Sequence, residues 1–281
     1  MKIIVLGARG STPAPWRDFL RYGGHTSSLA LAHDGAAPRL VIDAGTGIRT
    51  LSALLDGPFH GGILLGHLHW DHIQGLPFFR AGDNPEARVA LYGPHQGPET
   101  DLGLVLGRAM SPPHFPITPG ELRGTWSFEN LSPGEHQIED FSVLALDIPH
   151  KGGRSFGYRI SDGRVTLAYL SDHWPTGLGP GPAGLGEYHE NAVRLVSGAD
   201  IVFHDAQYTD EELPARGYFG HSCPSYALGL AMATGAKRLV LFHHDPQRTD
   251  DEIDAIVAGY QDAAIAVEAA IEGAVIELLP S

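Results

Sequence analysis

Cysteine is almost missing from this chain of 281 residues; Cys223 stands alone. A single thiol excludes an intramolecular disulfide framework and any cysteine-rich zinc module. Lysine is scarce, and acids outnumber bases 33 to 19, giving a formal net charge of −14. Such a surface repels a bare polyanion such as duplex DNA, so no large nucleic acid is expected as a partner. No apolar run approaches the roughly 18 residues that a membrane-spanning helix needs. The apolar start Ile3–Leu6 breaks at once into Gly7-Ala8-Arg9-Gly10, which suits a buried strand better than a signal peptide. A cytoplasmic protein with no membrane partner is the expectation. Charged residues make up 19%, too few for a disordered chain, and hydrophobic residues make up 43%, enough for a sizeable core. No linker divides the chain, so residues 1–281 read as one domain.

Strand-sized apolar runs recur at Ile3–Leu6, Ser28–Ala32, Leu40–Ile42, Ile63–Leu65, Val89–Tyr92, Phe141–Leu146, Thr166–Leu170, Ile201–Phe203, Leu239–Phe242 and Val275–Leu279. Most are bounded by Gly, Pro, Asp or Asn. Helical spacing appears between them, at Ile48, Leu51 and Leu55, at Leu228, Ala231 and Met232, and at Ile253, Ile256, Val257 and Tyr260. Thr249 and Glu252 form a capping box before the last of these. Strands mixed with helices in this order predict an α/β fold, with sheets covered by helices. The Gly/Pro-rich stretches Pro112–Gly120 and Pro175–Gly186 read as loops that shape a pocket.

Against the lack of cysteine stands an excess of histidine, sixteen in all. The decisive segment is His67-Leu68-His69-Trp70-Asp71-His72, one glycine past the apolar run Ile63–Leu65. In an extended chain residues i and i+2 point the same way, so His67 and His69 can share one metal ion. Asp71 and His72, past a turn, can reach a second. Imidazoles and carboxylates at a strand end are costly to bury unless paired or coordinated.

This H-x-H-x-D-H segment resembles the hallmark of the metallo-β-lactamase superfamily, and further segments follow in the expected order. Val41-Ile42-Asp43-Ala44-Gly45-Thr46-Gly47 resembles the loop that buttresses the ligands. Ile148-Pro149-His150 followed by Gly157-Tyr158, Ser171-Asp172, His204-Asp205-Ala206, Gly220-His221-Ser222 and the terminal His243-His244 resemble those of the tRNase Z and small-phosphodiesterase branch. The resemblance implies a four-layer αβ/βα sandwich of two mixed β-sheets with the metals at one edge. It implies two divalent metal ions, Zn²⁺ with Mn²⁺ or Fe as alternatives. His67, His69 and His150 would hold one, Asp71, His72 and His243 the other, and Asp172 would bridge them. The last ligand is His243 or His244, with the strand end favouring His243. Seven protein ligands and a bridging hydroxide would leave the centre about one positive charge, which draws an anionic substrate.

The same resemblance assigns His221 as the proton donor to the leaving oxygen and Asp205 as its support. Asp replaces the family's Glu here, and Cys223 replaces a hydroxyl residue. Asp71 would take the proton of the attacking water. The activity implied is hydrolysis of a small phosphodiester, cyclic ones included, by attack of a metal-bridging hydroxide. The segment between Gly157 and Asp172 is hairpin-sized and holds no basic, glycine-rich arm for tRNA, which favours a small-molecule substrate. Two other readings stay open: a lactone or thioester hydrolase of the same fold, and a non-hydrolytic metal-binding module. A monomer and a homodimer are both allowed. His25 and His114 are candidates for the pocket but read more readily as structural or surface residues, while His33, His60, His95, His136 and His189 read as exposed.

Overall fold

The computed structural model describes residues 1–97, 100–181 and 183–280. Among the described residues fourteen strands form two seven-stranded sheets. One sheet holds β1 (Lys2–Gly7), β2 (Ser28–Ala32), β3 (Leu40–Ile42), β4 (His60–Leu64), β5 (Arg88–Pro94) and β6 (Thr125–Leu131) in that order, with β14 (Val275–Glu277) outside β1. The other runs β7 (Gly134–Ile138), β8 (Phe141–Ile148), β9 (Ser155–Ser161), β10 (Thr166–Leu170), β11 (Ile201–Asp205), β12 (Arg238–Phe242) and β13 (Ala266–Ala269). Both sheets are mixed. Strands β3 to β6 are parallel to one another, as are β10 to β13. The remaining neighbours pair antiparallel.

The sheets pack face to face through a buried layer in which Leu29, Leu31, Ile42 and Leu64 of one meet Phe141, Phe156, Tyr158, Phe203 and Phe242 of the other. The outer face of the first sheet is covered by α1 (Ile48–Leu51), α2 (Trp70–Ile73) and α3 (Leu102–Ala109). The outer face of the second is covered by α4 (Glu190–Val196), α5 (Leu213–Arg216), α6 (Pro224–Ala233) and α7 (Asp250–Ala258). This is the expected αβ/βα sandwich. Alternating burial explains it: each central strand carries apolar side chains on both faces, one set for the inter-sheet core and one for the helices. Gly157 shows how tight that packing is, since a Cβ there would lie 2.6 Å from Leu195 Cδ1.

Each expected apolar run lies wholly or mainly in a strand. The helix at Leu228–Met232 forms as the spacing predicts, the one begun at Ile253 stops at Ala258, before Tyr260, and the Thr249–Glu252 capping box is made on both sides. The first helix is shorter than its spacing suggested and stops at Leu51, before Leu55.

Strand direction positions the site. Strands β10, β11 and β12 are parallel, and β8 runs with them because β9 is antiparallel to both β8 and β10. Their carboxyl ends therefore share one edge, where ligands of open α/β sheets collect. A buried guanidinium fastens the loops there. Arg9, with no exposed surface, donates to the carbonyls of Gly23 at 2.8 Å, Phe19 at 3.2 Å, Asp245 at 3.3 Å and Arg248 at 2.6 Å, and to the Asp250 carboxylate at 3.3 Å. Burial lowers its pKa from the usual value, against the pull of Asp250 and Asp245. Replacing it strands buried acceptors and one buried carboxylate. Arg9→Leu is expected to cost about 3–5 kcal/mol in urea unfolding; a loss below about 1 kcal/mol would show that the guanidinium is not a structural clamp.

Candidate metal centre

The candidate ligands sit just past strand ends or in the short helix α2. His67 follows β4, and His69 immediately precedes α2, so the segment bends into a short helix instead of staying extended. That turn lifts Asp71 and His72 into a second group. His150 follows β8, Asp172 follows β10, and His243 follows β12.

Two clusters result. His67, His69, His150 and Asp172 each offer one donor atom within 4.8 Å of the others, and so do Asp71, His72, Asp172 and His243. Asp172 belongs to both. Its Oδ1 lies 3.7 Å from His67 Nε2 and 3.6 Å from His150 Nε2. Its Oδ2 lies 2.9 Å from His72 Nε2 and 3.2 Å from His243 Nε2. Asp71 Oδ2 stands 3.1 Å from His243 Nε2 and 3.3 Å from His72 Nε2. All seven sequence-predicted ligands are brought together. His244 is turned away, its Nε2 3.0 Å from the Ala270 carbonyl, and burial lowers its pKa to about 3.

The charge pattern suits cations. Burial holds His67 well below its usual pKa, reinforced by His72; it also lowers His69, and takes His150 to about 4. Those rings are neutral, with His150 Nε2 and His69 Nδ1 3.2 Å apart. Burial opposes ionisation of Asp71 and Asp172, yet the charges of His72 and His243 hold both carboxyls well below the usual range. Burial likewise opposes charge on His72 and His243. Asp172 and Asp71 overcome it, raising His72 well above its usual value and His243 to about 9. Protons on two rings thus occupy the electrostatic role of a cation. The buried Nε2 atom of His67 has no hydrogen-bond partner. Such an orphan costs roughly 1–3 kcal/mol unless something accepts its lone pair. Five imidazoles and two carboxylates fit divalent cations, zinc above all.

A surrounding layer aims the rings. His72 Nδ1 bonds Asp43 Oδ2 at 2.8 Å, and Asp43 also accepts from Tyr169 Oη at 2.6 Å and from the Gly66 amide at 2.7 Å. His150 Nδ1 donates to the Gly220 carbonyl at 2.8 Å. The Ser11 amide donates to Asp71 Oδ2 at 2.7 Å. Gly10 leaves room for His243, whose Nδ1 would lie 2.4 Å from any Cβ there. Sequence reasoning found Asp43 but missed Tyr169, Gly10 and Ser11; the glycine-serine pair just past the first strand was the available signal.

Asp205 and His221 also meet. His221 Nδ1 lies 2.9 Å from Asp205 Oδ2 and 3.8 Å from Asp172 Oδ1, and Asp205 accepts the amides of His173 at 3.1 Å and Gln207 at 3.0 Å. Cys223 is buried, and burial pushes its thiol pKa up, which leaves it inert. His25 binds Thr46 Oγ1 at 3.1 Å and takes no place among the clusters. Of the five histidines expected to be exposed, only His60 is; His33 stacks on Phe141 at 4.4 Å.

His189 corrects that expectation most. The Ala192 amide donates to its Nδ1 at 3.4 Å, so its Nε2 carries the proton given to His173 Nε2 at 2.8 Å. His173 Nδ1 then donates to His204 Nε2 at 3.0 Å, and His204 Nδ1 to the Asp205 carbonyl at 2.8 Å. One tautomer of each ring satisfies the whole chain. Burial keeps all three neutral, with His189 lowered from 6.5 to about 4. The unfolded chain takes up these protons first, so stability should fall as pH drops from about 6.5 toward 4. His189→Gln should lose less stability across that window than wild type, as read by urea unfolding at each pH; an equal loss would contradict the neutral chain. Asp43→Ala should weaken Zn²⁺ affinity about 10–100-fold in competition with a chelator, whereas unchanged affinity would remove Asp43 from the support of His72.

Comparison with known proteins agrees with this architecture. A ribonuclease Z of Staphylococcus carnosus is 26% identical, the match covering 93% of this chain and 94% of the relative. The metallo-beta-lactamase fold protein YhfI of Bacillus subtilis superposes with a TM-score of 0.71 at 18% identity, over 98% of this chain and 99% of that one. A diphosphatase of the PhnP family gives 0.71 at 19% identity, over 99% and 98%. The profile of the beta-lactamase superfamily domain matches residues 38–244, most of the sequence, and the chain belongs to that superfamily.

Proposed function

We propose that this protein is a phosphodiesterase with two divalent metal ions, held by His67, His69 and His150 on one side of Asp172 and by Asp71, His72 and His243 on the other. Bound there, the ions would supply Lewis acidity, lowering the pKa of water and stabilising negative charge on the phosphoryl oxygens. The chain's own residues do the rest. Asp71, fixed by the Ser11 amide, takes the proton of the attacking water. Asp205 fixes His221 through Nδ1, which leaves Nε2 to carry the proton that the departing oxygen needs.

The observation that carries this reading is the Asp205–His221 pair set beside Asp172. A lactone or thioester releases its leaving group more readily than a phosphodiester releases an alkoxide, so a dedicated proton donor favours the phosphorus substrate. Likeness to a ribonuclease and to a diphosphatase supports the same class of bond. A small diester suits the cleft over the site, about 400 Å³, bounded by residues that include His69, Asp71, Asp172 and His221. The net charge of −14 and the four-residue turn between β9 and β10 support it too. An RNA is the second reading, favoured by the ribonuclease Z match along nearly the whole chain.

The test loads the protein with Zn²⁺ or Mn²⁺ and offers bis(p-nitrophenyl) phosphate, cyclic nucleotides, dinucleotides, an RNA with a 3′ extension, a lactone and a thioester. Phosphodiester turnover is expected, and Asp172→Ala should abolish both metal uptake and turnover. His221→Ala should cut kcat about 10²–10⁴-fold for alkoxide leaving groups and far less for p-nitrophenolate, which leaves without a proton. Turnover of the lactone or thioester alone, or a fully active Asp172→Ala, would refute the proposal.

A further inference from the structure

Beside the metal cleft lies a second and larger hollow of about 860 Å³, and the two share Leu68 and Trp70 as a common wall. Its size falls within the roughly 300–1,000 Å³ of pockets that hold small ligands. It is built by α2, the turn after it, the second half of α3 and the loop at His114–Phe115. Of the two loops expected to shape a pocket, this places Pro112–Gly120 at one and leaves Pro175–Gly186 off both linings.

The lining is aromatic and free of acid. Trp70 is 75% exposed and Phe78 52% exposed, although both are large and apolar. Phe78 and Phe115 meet edge to face with ring centroids 5.9 Å apart, and Met110 adds a soft apolar surface. Gln74, Arg108 and His114 supply hydrogen-bonding groups. Arg108 is the one ionic side chain among the residues lining this hollow, within a chain of net charge −14. Flat hydrophobic faces with a few polar groups among them match an aromatic heterocycle. A simple alkyl chain would leave those polar groups unused. Trp70 lines the metal cleft with Asp172 as well as this hollow, so a group stacked on its ring adjoins that cleft.

Resting on the phosphodiesterase reading, we infer that the hollow walled by Trp70, Phe78, Met110 and Phe115 is a nucleobase pocket, and that the substrate is a phosphodiester of a nucleoside. The base stacks on Trp70, its edge is met by Gln74, Arg108 or His114, and its sugar bridges to the scissile phosphorus. The same base chemistry comes from a free dinucleotide or from the 3′ end of an RNA.

Two measurements test this. The first compares kcat/KM of the metal-loaded enzyme for a dinucleotide, a short oligoribonucleotide, a nucleoside methyl phosphate and a dialkyl phosphate. The nucleoside diesters should be preferred, and Trp70→Ala and Phe115→Ala should each shrink that preference about tenfold, through KM more than kcat. The ratio of dinucleotide to oligoribonucleotide then identifies the source. The second needs no turnover: calorimetric binding of adenosine monophosphate, methyl phosphate and octyl phosphate to the metal-free chain. Adenosine monophosphate should bind tightest, and Trp70→Ala should weaken it about tenfold. Phosphodiester hydrolysis with no nucleoside preference would overturn the pocket and leave the phosphodiesterase standing. Hydrolysis of no phosphodiester would overturn the phosphodiesterase, and the binding series would then decide the pocket by itself. Tighter binding of octyl phosphate, or equal binding by wild type and Trp70→Ala, would overturn it.

Discussion

A single buried carboxylate holds this structure's chemistry together. Asp172 presents one oxygen to His67 and His150 and the other to His72 and His243. Five imidazoles and two carboxylates packed this closely cannot be neutral hydrophobic filling. Without positive charge between them, unpaired lone pairs face one another in a site shielded from water. The carboxylates of Asp172 and Asp71 favour positive charge here and raise the pKa of His72 and His243. A divalent cation on each side would meet the same demand more completely, and its binding would be coupled to proton release.

That arrangement is imposed by the backbone at a price in strain. Asp43, Asp172 and His243 all have left-handed backbone conformations, with φ of 58°, 55° and 60°. Non-glycine residues there cost roughly 1–2 kcal/mol each. The sharp turns are tolerated because they follow central strands whose positions are fixed by the inter-sheet core. Parallel β10, β11 and β12 deliver Asp172, Asp205 and His243 to one edge, and β4 from the facing sheet delivers the histidine-rich turn to the same place. Arg9 and Asp43 then lock the loops on either side.

The central strands and the ligands could be read in the sequence because burial writes a strong pattern. Continuous apolar runs such as Leu239–Phe242 are required where both faces of a strand are covered, and ligand side chains follow directly at their ends. The unforeseen strands lack that pattern. Strands β6, β7 and β13 lie at sheet edges and carry polar residues such as Glu129, His136 and Glu268. In β9 the run is broken by Gly157, which is there for Leu195. Contacts made by backbone atoms, such as the Ser11 amide to Asp71, leave almost no mark on residue identity. The histidine chain through His173, His189 and His204 was invisible for another reason: its members come from three separate segments and meet only after folding.

The central claim is that Asp172 separates two cations. Crystals grown with Zn²⁺ and measured at the zinc absorption edge test it most directly. Two anomalous peaks per chain are predicted, one within about 2.0–2.2 Å of each Asp172 oxygen, flanked respectively by His67, His69 and His150 and by Asp71, His72 and His243. A single peak, or peaks remote from Asp172, would contradict the account.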